Sequence, residues 1–220
     1  MESLNPNIEI ALQEAIQAER EERTGEREGF YASSLGMCPR KLICERAGIK
    51  REEPPDQRSV FKMWVGTILH REAQKLLEKS GYLDPAWTEK RLVYRSVVCK
   101  LDGVTHRING SANVELKTTD DRAITKSDIP EHYLWQMMLG CLASGFSASC
   151  LFMLGKSQGL SKHRVIHLTD EWRKKIDDEI TSLDALWLRY KANGEIPPCQ
   201  HRYSWEDAYC PYGQSAKLGG

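Results

Sequence analysis

The sequence lacks an excess of charge of either sign, because its 31 lysines and arginines are balanced by 31 aspartates and glutamates. Proteins that hold nucleic acid through phosphate contacts usually carry a basic excess. Because the charges balance, this protein cannot bind a polyanion such as DNA through its net charge alone. Such a chain would need a local basic groove, a modest affinity or a partner protein that helps to hold the ligand.

The sequence also has no apolar run long enough to span a bilayer, and we expect no secretory leader. Its seven cysteines are an odd number, which argues against a full set of disulfides and favours a reducing cytoplasm. The hydrophobic fraction of 40% is sufficient for a packed core. The 220 residues could form one domain with decorations or two small domains.

The most informative stretch is Val-Glu-Leu-Lys-Thr at residues 114–118, with Asp102 upstream of it. In a strand, Glu115 and Lys117 point to the same face, while Leu116 points into the core. Two carboxylates can hold a Mg²⁺ ion that still has room for water and a phosphate. A nearby ammonium can orient the water or stabilise charge on phosphorus. The pattern indicates phosphodiester hydrolysis, although the Glu-x-Lys tripeptide alone also fits a solvated strand face.

The surrounding pattern predicts alternating helices and strands. An apolar stripe at three- and four-residue steps predicts a helix over residues 60–79, with His70 at the edge of the stripe. Asn-Gly at residues 109–110 predicts a hairpin that pairs the strands of Asp102 and Glu115. Helices are predicted at residues 8–28, 35–47, 133–140 and 171–191, and strands at 92–94, 97–104, 113–118, 150–154 and 165–168.

The order of these motifs resembles the RecB-like branch of the PD-(D/E)xK nucleases. The motifs are Gly66-Thr67-x-x-His70, Leu101-Asp102-Gly103, Glu115-Leu116-Lys117-Thr118 and a helix with Gln136, and the resemblance covers about residues 33–213. It implies that His70, Asp102 and Glu115 ligate a metal ion, together with the backbone carbonyl of Leu116. It also implies catalytic roles for Lys117, Glu115 and Asp102, and for Gln136 in the helical motif. The family usually has Gln-x-x-x-Tyr in that helix, whereas this chain has Gly140.

The resemblance implies an α/β fold, with a restriction-endonuclease-like core of a mixed sheet flanked by helices. We expect an N-terminal helical cap over residues 1–57, the nuclease core over 58–192 and a C-terminal cysteine tail over 193–220 that packs with the cap. The expected protein is a Mg²⁺- or Mn²⁺-dependent deoxyribonuclease in the cytoplasm of a bacterium or of a phage-infected host.

The expected substrate is single-stranded or end-bearing DNA, and the expected activity is exonucleolytic. The settings that the resemblance implies are recombination or replication of a phage or mobile element, or CRISPR adaptation, with proteins of those pathways as partners. Two alternatives remain open at this stage. One is a structure-specific endonuclease, and the other is a non-catalytic DNA-binding module with a structural metal centre.

The cysteine layout resembles that of the CRISPR-associated RecB-like nucleases and the AddB-type helicase–nucleases, which hold an iron–sulfur cluster. Cys38 starts a Cys-Pro-Arg-Lys segment, and Cys199 and Cys210 lie in the tail. The family pattern has three tail cysteines, so the fourth ligand of a 4Fe-4S cluster would be Cys44 or His201. Six residues after Cys38, Cys44 would not share its face in a regular helix. Zinc binding and free thiols are the alternatives.

Other residues near these cysteines have two interpretations. Arg40 and Lys41 are candidates for DNA binding, but most basic pairs are solvated surface. The tail also carries four aromatic residues that could stack on unpaired bases or simply pack around a metal site: Tyr203, Trp205, Tyr209 and Tyr212.

Overall fold

A computed structural model describes Ile16 and residues 25–51, 57–108, 110–126 and 128–212 of the chain. The predicted mixed α/β fold is confirmed, with two mixed sheets flanked by helices. The described strands are β1 (Phe30–Tyr31), β2 (Arg91–Tyr94), β3 (Val97–Lys100), β4 (Gly103–Ile108), β5 (Gly110–Thr119), β6 (Ala148–Gly155) and β7 (Ser161–His167). The described helices are α1 (Pro39–Ala47), α2 (Gln57–Lys79), α3 (Asp121–Ile124), α4 (Glu131–Ser144), α5 (Asp170–Asn193) and α6 (Ser204–Tyr209), with a 3-10 turn at Ala32–Ser34.

The larger sheet has the strand order β4-β5-β6-β7, which places β5 inside the sheet. β5 runs antiparallel to β4 and parallel to β6, and α4 forms part of the crossover that a parallel pair requires. β4 pairs with β5 only as far as Gly103 opposite Val114. The part of β5 after Val114 therefore has no β4 partner at that edge.

The smaller sheet joins the first described segment to the core. Its strand order is β1-β3-β2, and β1 pairs in parallel with β3 through Phe30 opposite Val97. The division of the chain at residues 57 and 192 stays a prediction, and this pairing crosses the first of those boundaries.

Helices α4 and α5 supply much of the core. α4 buries an unbroken apolar run that includes Met137, Met138 and Leu139. α5 begins after Thr169, whose side chain accepts a hydrogen bond from the Trp172 amide, as expected of an N-cap. One face of α5 is buried at four positions: Ile176, Ile180, Leu183 and Trp187. Burial of each of the three aliphatic side chains is worth roughly 1.5–3 kcal/mol.

Several element boundaries differ from the sequence prediction, and the structure shows the reason for two of the differences. The strand predicted over residues 97–104 is broken at Leu101 and Asp102, because the Leu101 amide bonds to the Lys90 carbonyl and the Asp102 carboxylate turns to β5. The helix predicted over residues 35–47 begins only at Pro39, a residue that suits the first helical position. Before it, Gly36 has a φ of 78° and packs against Trp135 too closely for a Cβ atom.

Most of the helix predicted over residues 8–28 lies outside the described residues. Ile16 is helical and buried, while residues 25–28 are not helical. No helix within the described ranges is long and apolar enough to cross a bilayer.

Candidate active site and cysteine cluster

Asp102 and His70 meet where β4 begins. One Asp102 oxygen lies 3.4 Å from His70 Nε2, and the other accepts a hydrogen bond of 2.7 Å from the Leu116 amide. Because the N–H and C=O of one strand residue point to the same edge, the Leu116 carbonyl also points to this open edge of β5. The predicted ligand groups of these three residues are thus on one side of the strand.

Glu115 and Lys117 lie together on the face of β5 that α4 covers. Lys117 Nζ is 2.6 Å from Glu115 Oε1 and donates a hydrogen bond of 2.9 Å to Gln136 Oε1. It also lies 5.2 Å from the centre of the Tyr133 ring. The helix predicted to carry Gln136 therefore positions the ammonium that the strand supplies.

The charges at this place are strongly coupled. Burial raises the pKa of the Glu115 carboxyl, against the lowering effect of the Lys117 ammonium. Burial lowers the pKa of the Lys117 ammonium, but the negative charges of Glu115 and Asp102 have the larger effect, so the Lys117 pKa is raised overall. The hydrogen bond from His70 to Asp102 raises the His70 pKa. Two carboxylates and an imidazole in so little solvent are a donor set that suits a divalent cation.

Two residues at the site were not found from the sequence. Gln74 is buried on α2, one turn after His70, and its Nε2 donates to the Asp102 carbonyl at 2.6 Å and to Glu89 Oε1 at 3.2 Å. Ligand atoms of His70, Glu89 and Asp102 lie within 4.8 Å of one another. Gln74 follows His70 at helical spacing, which is a usable signal. Glu89 lies in a turn with a φ of 56°, and no sequence pattern marks it.

The glycine at position 140 has a packing reason. A Cβ atom at Gly140 would lie 2.6 Å from Asn113 Nδ2, so α4 can approach β5 only without a side chain there. A tyrosine, as in the usual family motif, would not fit. The aromatic ring near Lys117 is instead that of Tyr133, three residues before Gln136.

The tail brings a second group of ligand atoms together at the start of α1. Ligand atoms of Cys38, Cys199 and His201 lie within 4.8 Å of one another. Cys199 is hydrogen-bonded to Cys210. Cys44 lies close enough to Cys38, Cys199 and Cys210 for their charges to affect its pKa. We call these four cysteines and His201 the cysteine cluster.

The surroundings of the cysteine cluster fit a bound metal. Burial raises the pKa of Cys44 to about 12 and that of Cys199 to about 11, so thiolates need a cation there. The Gln200 amide donates to the Cys38 sulfur at 3.3 Å. None of the seven cysteines forms a disulfide. Four sulfurs, or three with an imidazole, suit either an iron–sulfur cluster or zinc.

Polar contacts lock the tail onto α1. Glu206 is buried, and it accepts hydrogen bonds from the Cys38 amide at 2.8 Å and the Arg202 amide at 2.7 Å. Arg40 donates to the Tyr212 carbonyl at 2.8 Å and to the Pro197 carbonyl at 3.3 Å. These contacts span up to 172 positions in sequence.

The predicted DNA-binding pair has other contacts in this structure. Arg40 is mostly buried under the tail, and Lys41 Nζ lies 3.1 Å from Glu45. Their contribution to DNA binding stays a prediction. Among the tail aromatics, Tyr212 is buried, with its hydroxyl donating to the Ile49 carbonyl. The side chain of Tyr209 lies outside the described part of the chain.

No known protein family matches the sequence, and no curated protein does so either. Solved structures do match. The crystal structure of a protein designated SSO0001 gives a TM-score of 0.58 at 15% identity, covering 93% of this chain and 94% of that one. The alkaline exonuclease LHK-Exo from Laribacter hongkongensis gives 0.54 at 15% identity, covering 82% and 97%. LHK-Exo in complex with dAMP gives 0.56 at 16% identity, covering 76% and 93%.

The chain shares the fold of an alkaline exonuclease. This similarity confirms the predicted core of a mixed sheet flanked by helices. At 15–16% identity it shows the fold alone.

Proposed function

We propose that this protein is a metal-dependent deoxyribonuclease that removes nucleotides from single-stranded or end-bearing DNA. The observation that carries the proposal is that two pairs of side chains lie close together: His70 with Asp102 at the open edge of β5, and Glu115 with Lys117 on the face that α4 covers. The fold shared with an alkaline exonuclease, one of whose structures contains dAMP, supports it.

His70, Asp102, Glu115 and the Leu116 carbonyl are the groups that would hold a Mg²⁺ or Mn²⁺ ion. When bound, such an ion supplies an activated water and neutralises charge on the scissile phosphate. Asp102 is fixed for this role because its second oxygen is held by the Leu116 amide. Its backbone carbonyl is held in turn by Gln74.

Lys117 provides an ammonium in direct contact with the proposed ligand Glu115. Its Nζ contacts both Glu115 and Gln136, so its orientation is fixed before substrate arrives. From this position it orients the attacking water or stabilises the negative charge that builds on the phosphoryl oxygens. Gln136 keeps Lys117 in place and contacts it as an acceptor.

We further propose that the cysteine cluster holds a 4Fe-4S centre through Cys38, Cys199, Cys210 and Cys44, with His201 as the other candidate for the fourth position. Zinc is the second possibility that this donor set supports. Iron and acid-labile sulfide analysis of anaerobically purified protein decides between them. Equimolar zinc without iron would contradict the iron–sulfur assignment.

The reaction is tested with end-labelled linear single-stranded DNA and a closed circular single strand, each with Mg²⁺ or Mn²⁺. We expect loss of the linear strand alone, and the label pattern gives the polarity. Cutting of the circle would instead show a structure-specific endonuclease. Binding of both strands without cleavage, by protein of verified metal content, would favour a non-catalytic DNA-binding module.

The substrate class fits recombination or replication of a phage or mobile element, or CRISPR adaptation, with proteins of those pathways as partners. The proposed location is the cytoplasm of a bacterium or of a phage-infected host, where thiols stay reduced.

A further inference from the structure

Three aromatic rings come together at the edge of the proposed active site. Tyr203 and Trp205 are stacked, with ring centres 5.6 Å apart and planes inclined by only 1°. The ring of His132 meets both edge-on, at 5.7 Å from Tyr203 and 5.5 Å from Trp205. We call these three side chains the aromatic platform.

The aromatic platform is held on two sides. On one side, the Tyr203 hydroxyl lies beside the buried Trp135 of α4. The Tyr203 amide donates to Glu206 at 3.0 Å, and Glu206 also accepts from the Cys38 amide. The stacked pair is therefore fixed both to α4 and to the cysteine cluster, and it needs no reorganisation to receive a flat ligand.

A chain of ring contacts leads from the aromatic platform to the proposed catalytic lysine. His132 lies against Tyr133, with ring centres 4.4 Å apart, and Lys117 Nζ lies 5.2 Å from the Tyr133 ring centre. Trp205 is nevertheless 38% exposed, whereas the other aromatic residue of the stack is half-buried. The partly exposed indole of Trp205 is thus linked to Lys117 through the rings of His132 and Tyr133.

We propose that Trp205, supported by Tyr203 and His132, stacks on an unpaired nucleobase next to the scissile phosphate. Every base has a π-face, so aromatic stacking holds single strands with little regard to sequence. In a duplex both faces of an interior base are covered, so this contact selects unpaired or splayed nucleotides. The inference rests on the proposed function, because it names the substrate form that the same site accepts.

The test measures DNA binding by holoprotein carrying Lys117→Ala, which prevents cleavage of the probe. The probes are a single-stranded oligonucleotide of about ten nucleotides and a series in which one nucleotide at a time is abasic. We expect one abasic position to weaken binding about tenfold, within the range for one stacked base. Adding Trp205→Ala should cause the same loss with the intact strand and no further loss with that abasic strand. Trp205→Phe should restore most of the affinity.

Phe61→Ala is the matched control, because Phe61 is an aromatic on α2 that is 47% exposed and lies outside the aromatic platform. It should leave both affinities unchanged. Unchanged binding in Trp205→Ala, or an equal additional loss with intact and abasic strands, would overturn the inference. Hydrolysis of bis(p-nitrophenyl) phosphate by the wild-type protein tests the proposed reaction separately. If the wild-type protein did not hydrolyse this substrate but DNA binding still depended on the base, the proposed nuclease activity would be contradicted and the stacking role of the aromatic platform would stand.

Discussion

Gln74 acts at the scale of a single residue, because its amide holds both Asp102 and Glu89 from inside α2. Replacing it by leucine keeps the volume and leaves the Asp102 carbonyl without its donor. An unsatisfied buried polar group costs about 1–3 kcal/mol. We expect Gln74→Leu to lower the free energy of unfolding in urea by that amount and to reduce the cleavage rate. A variant with normal stability and normal rate would show that Gln74 is not needed to position Asp102.

Lys117 can be tested with a change that keeps a hydrogen-bond donor. Lys117→Gln keeps an N–H donor, on a side chain one atom shorter, but has no positive charge to place near the phosphate. Loss of one preorganised electrostatic contact of this kind typically costs 10²–10³-fold in rate. We expect that loss in initial rates on labelled single-stranded DNA.

The matched control for this change is Lys156→Gln, since Lys156 directly follows β6 and its Nζ donates to the backbone carbonyl of Lys62 on α2. The control should cleave at the wild-type rate. A normal cleavage rate in Lys117→Gln would show that the Lys117 ammonium is not needed for the reaction.

Individual residues also show where sequence reasoning works and where it stops. Glu115 and Lys117 could be predicted because a strand fixes which side chains share a face. Helical spacing does not separate Cys44 from Cys38, because Cys38 is the N-cap residue before Pro39 and does not lie within the helix. Glu89 could not be found, because its place depends on a turn and on Gln74 from another element.

At the scale of elements, the contact of α4 with β5 depends on Gly140. A methyl group there would meet the buried Asn113 amide, which is itself bonded to Ser149 at 3.0 Å. Overpacking in a core costs about 1–3 kcal/mol. We expect Gly140→Ala to lower the urea midpoint and to reduce cleavage, because α4 also positions Gln136.

Gly66→Ala on α2 is the comparison, since its nearest atoms are the ends of the Thr118 and Lys156 side chains at 3.2 and 3.4 Å. Those side chains can move, so its stability loss should be the smaller of the two. Equal losses would mean that the Asn113 contact is not what requires the glycine.

The order of helices and strands could be predicted from the periodicity of apolar residues, but the positions at which the chain leaves a strand could not. The 97–104 run has strand composition throughout, yet Asp102 leaves the strand to bond the Leu116 amide. Such a break arises from a long-range contact that composition does not contain. The helix of Gln136 was predictable because its apolar stripe and its preceding Pro130 are local features.

At the scale of the molecule, the two ends of the described chain meet at the cysteine cluster. In the sequence, only the placing of Cys38 near one end and of Cys199 and Cys210 near the other indicated this contact. The resemblance to nucleases with an iron–sulfur cluster suggested a shared metal centre as the reason for it. The polar lock of Glu206 and Arg40 could not be predicted, because buried charged groups are rare and their partners lie more than 150 positions away. Glu206 accepts hydrogen bonds from the amides of Cys38 and Tyr203, so it connects the cysteine cluster to the segment that carries Trp205 and the proposed base contact.

Loss of the proposed metal centre should therefore affect both stability and DNA binding. A metal bound there would close a loop of roughly 160 residues, and such cross-links typically contribute several kcal/mol. We expect Cys199→Ser to bleach visible absorption and to lower the melting temperature. It should also weaken binding of single-stranded DNA, because α6 loses its anchor beside the proposed active site.

Cys99→Ser, at a buried thiol outside the cysteine cluster, controls for the cost of a serine in the core. It should leave the absorption unchanged. Unaltered absorption in Cys199→Ser would exclude Cys199 as a ligand, and unaltered DNA binding after bleaching would separate the centre from the substrate path.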